Sequence, residues 1–142
     1  MKLLIVDDNR DLRELAKTML ELNSYIVICA QDGTEAFEKV TLEKPALILM
    51  DVMMPGVDGF ELTRQLRTKP ETKDVPILAM TGLCRKSDID TCVQAGCTDY
   101  IIKPFSFSDL VEKINTLLAE VTSLPTPIDP LTHPLKCINQ LR

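Results

Sequence analysis

Residues 46–56 read ALILMDVMMPG: five apolar residues, Ala46 to Met50, run into one carboxylate, Asp51, and then into the Pro55-Gly56 breaker. A short apolar run without polar alternation, bounded by Pro45 and Pro55, predicts a strand buried on both faces, although periodicity alone also admits a buried helical segment. In open α/β sheets, ligands gather outside the carboxyl ends of the strands, so an acid placed there is positioned for chemistry. Asp51 at the start of an ordinary turn is the equal alternative from this stretch alone. The other strand ends decide between them.

Working outward, Lys2 to Val6 predicts a first apolar strand ending in Asp7-Asp8-Asn9. Leu12, Leu15, Ala16, Met19 and Leu20 then repeat at helical spacing. Tyr25 to Ala30 predicts a second strand, and Asp32-Gly33 turns into a helix reaching about Glu43, where Pro45 stops it. Phe60, Leu62 and Leu66 mark a helix to Thr68, and the polar stretch KPETKDVP leads into a fourth strand, Ile77 to Met80, followed by Thr81-Gly82. Ser87 with Asp90 three residues on has the form of a capping box, opening a helix that closes at Gly96. Tyr100 to Ile102 predicts a fifth strand delivering Lys103 and Pro104. Ser106 or Ser108 caps a last helix carrying Leu110, Ile114, Leu117 and Leu118 on one stripe. Five strands alternating with five helices imply a doubly wound parallel sheet covered on both faces.

Composition sets the outer limits. A chain of 142 residues favours one domain, with a tail from about residue 121 in which four prolines fall within ten residues and read as a linker or docking segment. No apolar run approaches the roughly 20 residues of a membrane span, and the amino end lacks a signal-peptide core, so a cytoplasmic location is expected. A net charge of −5 argues against direct nucleic-acid binding. Five cysteines without a CxxC pair suggest neither a disulfide framework nor a zinc site, and Cys84 and Cys92 read as small packing residues. His133 sits in the Pro-rich tail without a helical frame and reads as solvent-exposed.

The strand ends together offer Asp7, Asp8, Asp51, Thr81 and Lys103. In VDDN at 6–9, LILMDVMMPGVDGFEL at 47–62, TG at 81–82 and AGCTDYIIKPF at 95–105, the chain resembles the receiver domain of two-component response regulators, across residues 1 to about 120. The resemblance implies a CheY-like, flavodoxin-like fold with strand order 2-1-3-4-5. It implies that Asp51 is a phosphoacceptor served by Lys103 and Thr81, and that the chain is no enzyme beyond self-catalysed phosphoryl transfer and hydrolysis. It also implies a metal site of Asp7, Asp8, Asp51 and the Met53 main-chain carbonyl, switch residues Thr81 and Tyr100, and a cis bond before Pro104. Magnesium suits such an oxygen site, with manganese as a substitute, because crowded carboxylates repel one another unless a hard cation neutralises them.

The implied partners are a sensor histidine kinase or histidine phosphotransfer protein and a downstream protein, with a homodimer through the fourth helix, fifth strand and fifth helix as a further expectation. Met53 and Leu83 are apolar and cannot orient an attacking water, so slow hydrolysis of the aspartyl phosphate is expected. Other readings have less in their favour. A haloacid-dehalogenase-type phosphatase needs a second acid where Met53 stands, and a nucleotide-binding module needs a glycine-rich phosphate loop that is absent. A receiver-like scaffold that is never phosphorylated remains the main alternative, together with a receiver fragment of a longer regulator or hybrid kinase.

Overall fold

The computed structural model describes residues 1–54, 58–82 and 85–122, the side chains of 121 and 122 excepted. Leu83, Cys84 and the tail expected beyond residue 122 lie outside the described residues. Five parallel strands, β1 (Lys2–Val6), β2 (Ile26–Ala30), β3 (Leu47–Asp51), β4 (Ile77–Thr81) and β5 (Asp99–Ile102), form one sheet in the order β2-β1-β3-β4-β5. Five helices alternate with them: α1 (Arg10–Leu22), α2 (Gly33–Glu43), α3 (Gly59–Thr68), α4 (Lys86–Ala95) and α5 (Phe107–Thr122). This is the expected flavodoxin-like winding. No helix among the described residues is long and apolar enough to cross a membrane.

Two cores flank the sheet because successive strand residues point to opposite faces. Leu3, Ile5, Leu47, Leu49 and Leu78 pack with α1 and α5, while Leu4, Val6, Ile48, Met50 and Ile77 pack with residues of α2, α3 and α4. Every residue of β3 is buried, which is why its sequence shows no polar alternation. Asp51 ends that strand at the middle of the sheet, between β1 and β4.

Most helix starts follow the local chemistry. The side chains of Asn9, Asp32, Asp58 and Ser106 accept hydrogen bonds from the amides of Leu12, Glu35, Phe60 and Asp109, at 3.1, 2.8, 2.9 and 3.0 Å. Each such cap contributes about 1 kcal/mol. The expected capping box at Ser87 and Asp90 is not formed. Arg85 is the residue with extended backbone before α4, no side chain caps the helix, and Ser87 already lies inside it, so its hydroxyl cannot take the capping position. The Asp88 carboxylate instead meets Arg85 Nε at 3.4 Å. The start of β2 also shifts by one residue, because the Tyr25 amide bonds back to Leu20 O and closes the end of α1.

The polar loop after α3 is more ordered than its composition suggests, because Arg67 gathers it. Its guanidinium donates to the carbonyls of Thr72, Val75 and Gly96 at 3.0, 2.6 and 2.8 Å and to Thr98 Oγ1 at 3.2 Å. Thr72 is itself buried, with its hydroxyl on Leu66 O. Arg67→Ala is therefore expected to lower unfolding stability by about 2–4 kcal/mol in urea titrations, since several carbonyls lose a charged donor at once. Arg67→Lys should recover little of this, because an ammonium cannot span the same fork of acceptors. A loss below about 0.5 kcal/mol, typical of a surface substitution, would show that water replaces the donor.

Candidate functional site

The carboxyl ends of β1 and β3 bring three acids together, with candidate ligand oxygens of Asp7, Asp8 and Asp51 all within 4.8 Å of one another. Asp7 and Asp51 are buried and Asp8 is exposed. The loop backbone orients the buried pair: the Asn9 amide donates to Asp7 Oδ1 at 2.9 Å and the Met53 amide to Asp51 Oδ1, also at 2.9 Å. Arg13 Nη1 donates to the Asp7 carbonyl at 2.7 Å, tying the first turn of α1 to the end of β1. Sequence reading passed over Arg13, since its spacing marks it only as a polar helix residue.

Lys103 enters from the far side of the sheet. Its amide donates to Thr81 O at 2.7 Å, which continues the β4–β5 ladder past Ile102 and aims the side chain back across the strand ends. Its Nζ lies 3.4 Å from Asp51 Oδ2 and 3.5 Å from Asp7 Oδ2. The bond from Lys103 to Pro104 is cis. Thr81 is buried at the end of β4, paired in register with Ile102. Tyr100 stands two residues nearer the start of β5, half-buried against the core on the α3–α4 side, with Lys113 Nζ 5.6 Å from its ring centre. Met53 is 52% exposed at the rim.

One glycine is required here by close approach. A Cβ on Gly59 would lie 2.5 Å from Val52 Cα and 2.8 Å from Asp51 O, so only glycine lets α3 start against the backbone that follows the central acid.

Charge crowding leaves a trace in the acids themselves. Burial pushes the Asp7 carboxyl from its ordinary value near 3.8 up to about 6, the Asn9 amide pulls against it, the neighbouring Asp51 charge raises it and Lys103 lowers it. A group raised in the folded state contributes stability that is complete below its unfolded pKa and is lost as pH rises through its folded one. Metal-free protein should therefore lose on the order of 2 kcal/mol between about pH 4 and pH 6 through Asp7. Urea titrations in chelator should show the Asp7→Asn variant gaining on the wild type across that window, and parallel curves would refute the assignment.

Buried, mutually repelling oxygens without enough local cations are the donor set a hard divalent ion takes. The residues present thus fit a magnesium site.

The comparisons agree with this geometry. A family model described as the response regulator receiver domain matches residues 3–115. Response regulator MprA of Mycolicibacterium vanbaalenii is 38% identical over 122 residues, which are 86% of this chain and 52% of that protein. MprA of Mycobacterium leprae is 42% identical over 118 residues, 83% of this chain and 51% of the relative. The chain thus spans about half the length of these relatives. Chemotaxis protein CheY4 of Vibrio cholerae superposes with a TM-score of 0.78 at 30% identity, covering 81% of this chain and 96% of that one. The receiver domain of a Pseudomonas aeruginosa sensor histidine kinase, with magnesium coordinated in its active-site cleft, superposes with a TM-score of 0.76 at 31% identity over 83% of this chain and 97% of its own. With the family model spanning most of both cores and all three acids, the chain belongs to the response regulator receiver domain family.

Proposed function

We propose that this receiver domain, taken as residues 1–120, is a phosphorylation-dependent switch in which Asp51 accepts a phosphoryl group from a phosphohistidine on a sensor histidine kinase or a histidine phosphotransfer protein. The observation that carries this reading is the setting of Asp51: a buried carboxylate with Oδ1 held by the Met53 amide and Oδ2 facing the Lys103 ammonium at 3.4 Å. In the transfer, an Asp51 oxygen forms the new bond to phosphorus, the bond from phosphorus to the imidazole nitrogen breaks, and the freed imidazole takes up a proton. No general base is needed, because the attacking group is already an anion, and the protein contributes positioning and charge. Lys103 balances the charge that accumulates, and the Thr81 hydroxyl contacts a phosphoryl oxygen. Magnesium, or manganese in its place, held by Asp7, Asp8, Asp51 and the Met53 carbonyl, would offset the charge of the carboxylates and the transferring group.

The product adds about −1.5 to −2 charges at the end of β3. Thr81 and Tyr100 would pass that change to the face of α4, β5 and α5, where Val93 and Ile102 are exposed for a downstream protein or a second copy of the domain. The acidic net charge favours protein contacts over nucleic acid for this domain, and residues 121–142 would serve as linker or docking tail.

The test is incubation with magnesium and a small-molecule phosphodonor such as an acyl phosphate. One phosphoryl group should add, labile as an acyl phosphate and mapping to the peptide that contains Asp51, with chelator abolishing uptake. A chain that takes up no phosphate under these conditions would be the unphosphorylated scaffold instead.

A further inference from the structure

The turn from α4 into β5 holds a chemistry that phosphorylation does not use. α4 ends at Gly96, whose φ of 105° is the left-handed conformation that glycine adopts without strain. The Cys97 amide then donates to the Cys92 carbonyl at 3.0 Å and the Gly96 amide to the Val93 carbonyl at 3.1 Å. This is the pairing of a Schellman closure, in which the residue after the left-handed one folds back onto the side chain five positions earlier. At both of those positions this chain has cysteine. Cys92 is buried at 2% exposure in the core beneath α4, and Cys97 is half-buried against the same core.

The two thiols bear on one another electrically. Contact with Cys97 holds the Cys92 thiol below its usual range, and the same contact, with burial, pushes Cys97 above its own. A pair that shares a proton this way loses its first proton more readily than an isolated buried thiol, and the remaining S–H stabilises the thiolate. Thr63 and Arg67 of α3 also face Cys97, and Asp88 of α4 faces Cys92. A hydrophobic contact is the ordinary occupant of these two positions, but two sulfurs there have a second option.

We propose that Cys92 and Cys97 are a redox modification site, forming an intramolecular disulfide when the protein meets a hydroperoxide. The sulfur that carries the thiolate bonds to a peroxide oxygen, the O–O bond breaks, and that cysteine becomes a sulfenic acid with release of water or an alcohol. The other sulfur then bonds to it, the S–O bond breaks, and the hydroxide leaves with the proton of the second thiol as water. In sum, two thiols and one hydroperoxide give one disulfide, one water and one water or alcohol. The staple would fasten the last turn of α4 to the start of β5, the strand that carries Tyr100, at a distance in sequence from the acids around Asp51. Cysteine spacing gave no hint of this, because five residues apart is neither a CxxC motif nor one face of a regular helix, and the left-handed turn alone brings the two together.

The full chain, reduced and then exposed to hydrogen peroxide, should be digested with trypsin and weighed. The peptide beginning at Ser87 contains both residues and no internal cleavage site between them, and it should appear two hydrogens lighter, returning to its original mass with a reductant. In Cys92→Ser, Cys97 loses its resolving thiol and should persist as a sulfenic acid captured by a dimedone probe, whereas the wild type should give almost no such adduct. Helical circular dichroism of the variant checks that the fold is retained. The proposal is overturned if the Ser87 peptide stays at its dithiol mass while other cysteines oxidise, if the cross-link joins two chains, or if wild-type Cys97 accumulates as the trapped sulfenic acid to the level of the variant.

Discussion

With Asp51 replaced by asparagine, phosphoryl uptake from both a phosphohistidine donor and an acyl phosphate is expected to fall to background while the domain remains folded. The amide keeps the shape of the carboxylate and an oxygen that can accept from the Met53 amide, now 2.9 Å away, but it lacks the anionic lone pairs that attack phosphorus. Stability should not explain the loss. The Asp51 charge is one of the influences that raise the Asp7 carboxyl, so removing it relieves the buried pair, and metal-free Asp51→Asn should be at least as stable as the wild type near neutral pH. Mass spectrometry of intact protein together with urea titration separates the two effects. A phosphoryl group retained on Asp7 or Asp8 in the variant would show that position at the strand end, and not the identity of one acid, determines acceptance.

The acids were legible in the sequence because each stands at the end of an apolar run, and strand direction does the rest. Once five parallel strands alternate with five helices, Asp7, Asp51 and Lys103 must emerge on the same edge of the sheet. The Ser106 cap was equally local, since an oxygen-bearing side chain before a helical stripe has few other uses, and the caps at Asn9, Asp32 and Asp58 that the structure adds rest on the same chemistry. What sequence reading missed depends on tertiary placement. Arg13 reads only as a polar helix residue and Arg67 carries no signal of its own, yet Arg67 binds carbonyls in two separate loops and Arg13 holds the Asp7 carbonyl. Nothing in the spacing of an arginine records which carbonyls lie within its reach. The capping-box signal at Ser87 misled for the converse reason: the residue types matched, but backbone conformation at Arg85 decides where the helix begins, and residue type alone does not set it. Gly59 is intermediate, since a glycine before a helix is unremarkable until the backbone of Val52 is found against its Cα.

Lys103→Met is expected to slow phosphoryl uptake by about two to three powers of ten at saturating donor, the cost commonly seen when one fixed donor to a developing charge is removed. Methionine preserves most of the apolar stem, and the backbone link from residue 103 to Thr81 O does not involve the side chain. What disappears is a single positive charge 3.4 Å from Asp51 and 3.5 Å from Asp7. That charge has opposite effects on the two partners of the site. It attracts the phosphoryl oxygens, but it competes with any cation for the same two carboxylates, so its removal should tighten magnesium binding in calorimetric titrations even as transfer slows. Metal-free protein should also show Asp7 rising further above about 6, because Lys103 is one of the influences holding it down. These signs discriminate between two roles. If Lys103 acted by shaping the loop, magnesium affinity and transfer rate would fall together, and the conservative Lys103→Arg would restore neither. A tighter metal site coupled to slower transfer is the signature of a charge that serves the transferring group, and an unchanged rate in Lys103→Met would remove Lys103 from the mechanism altogether.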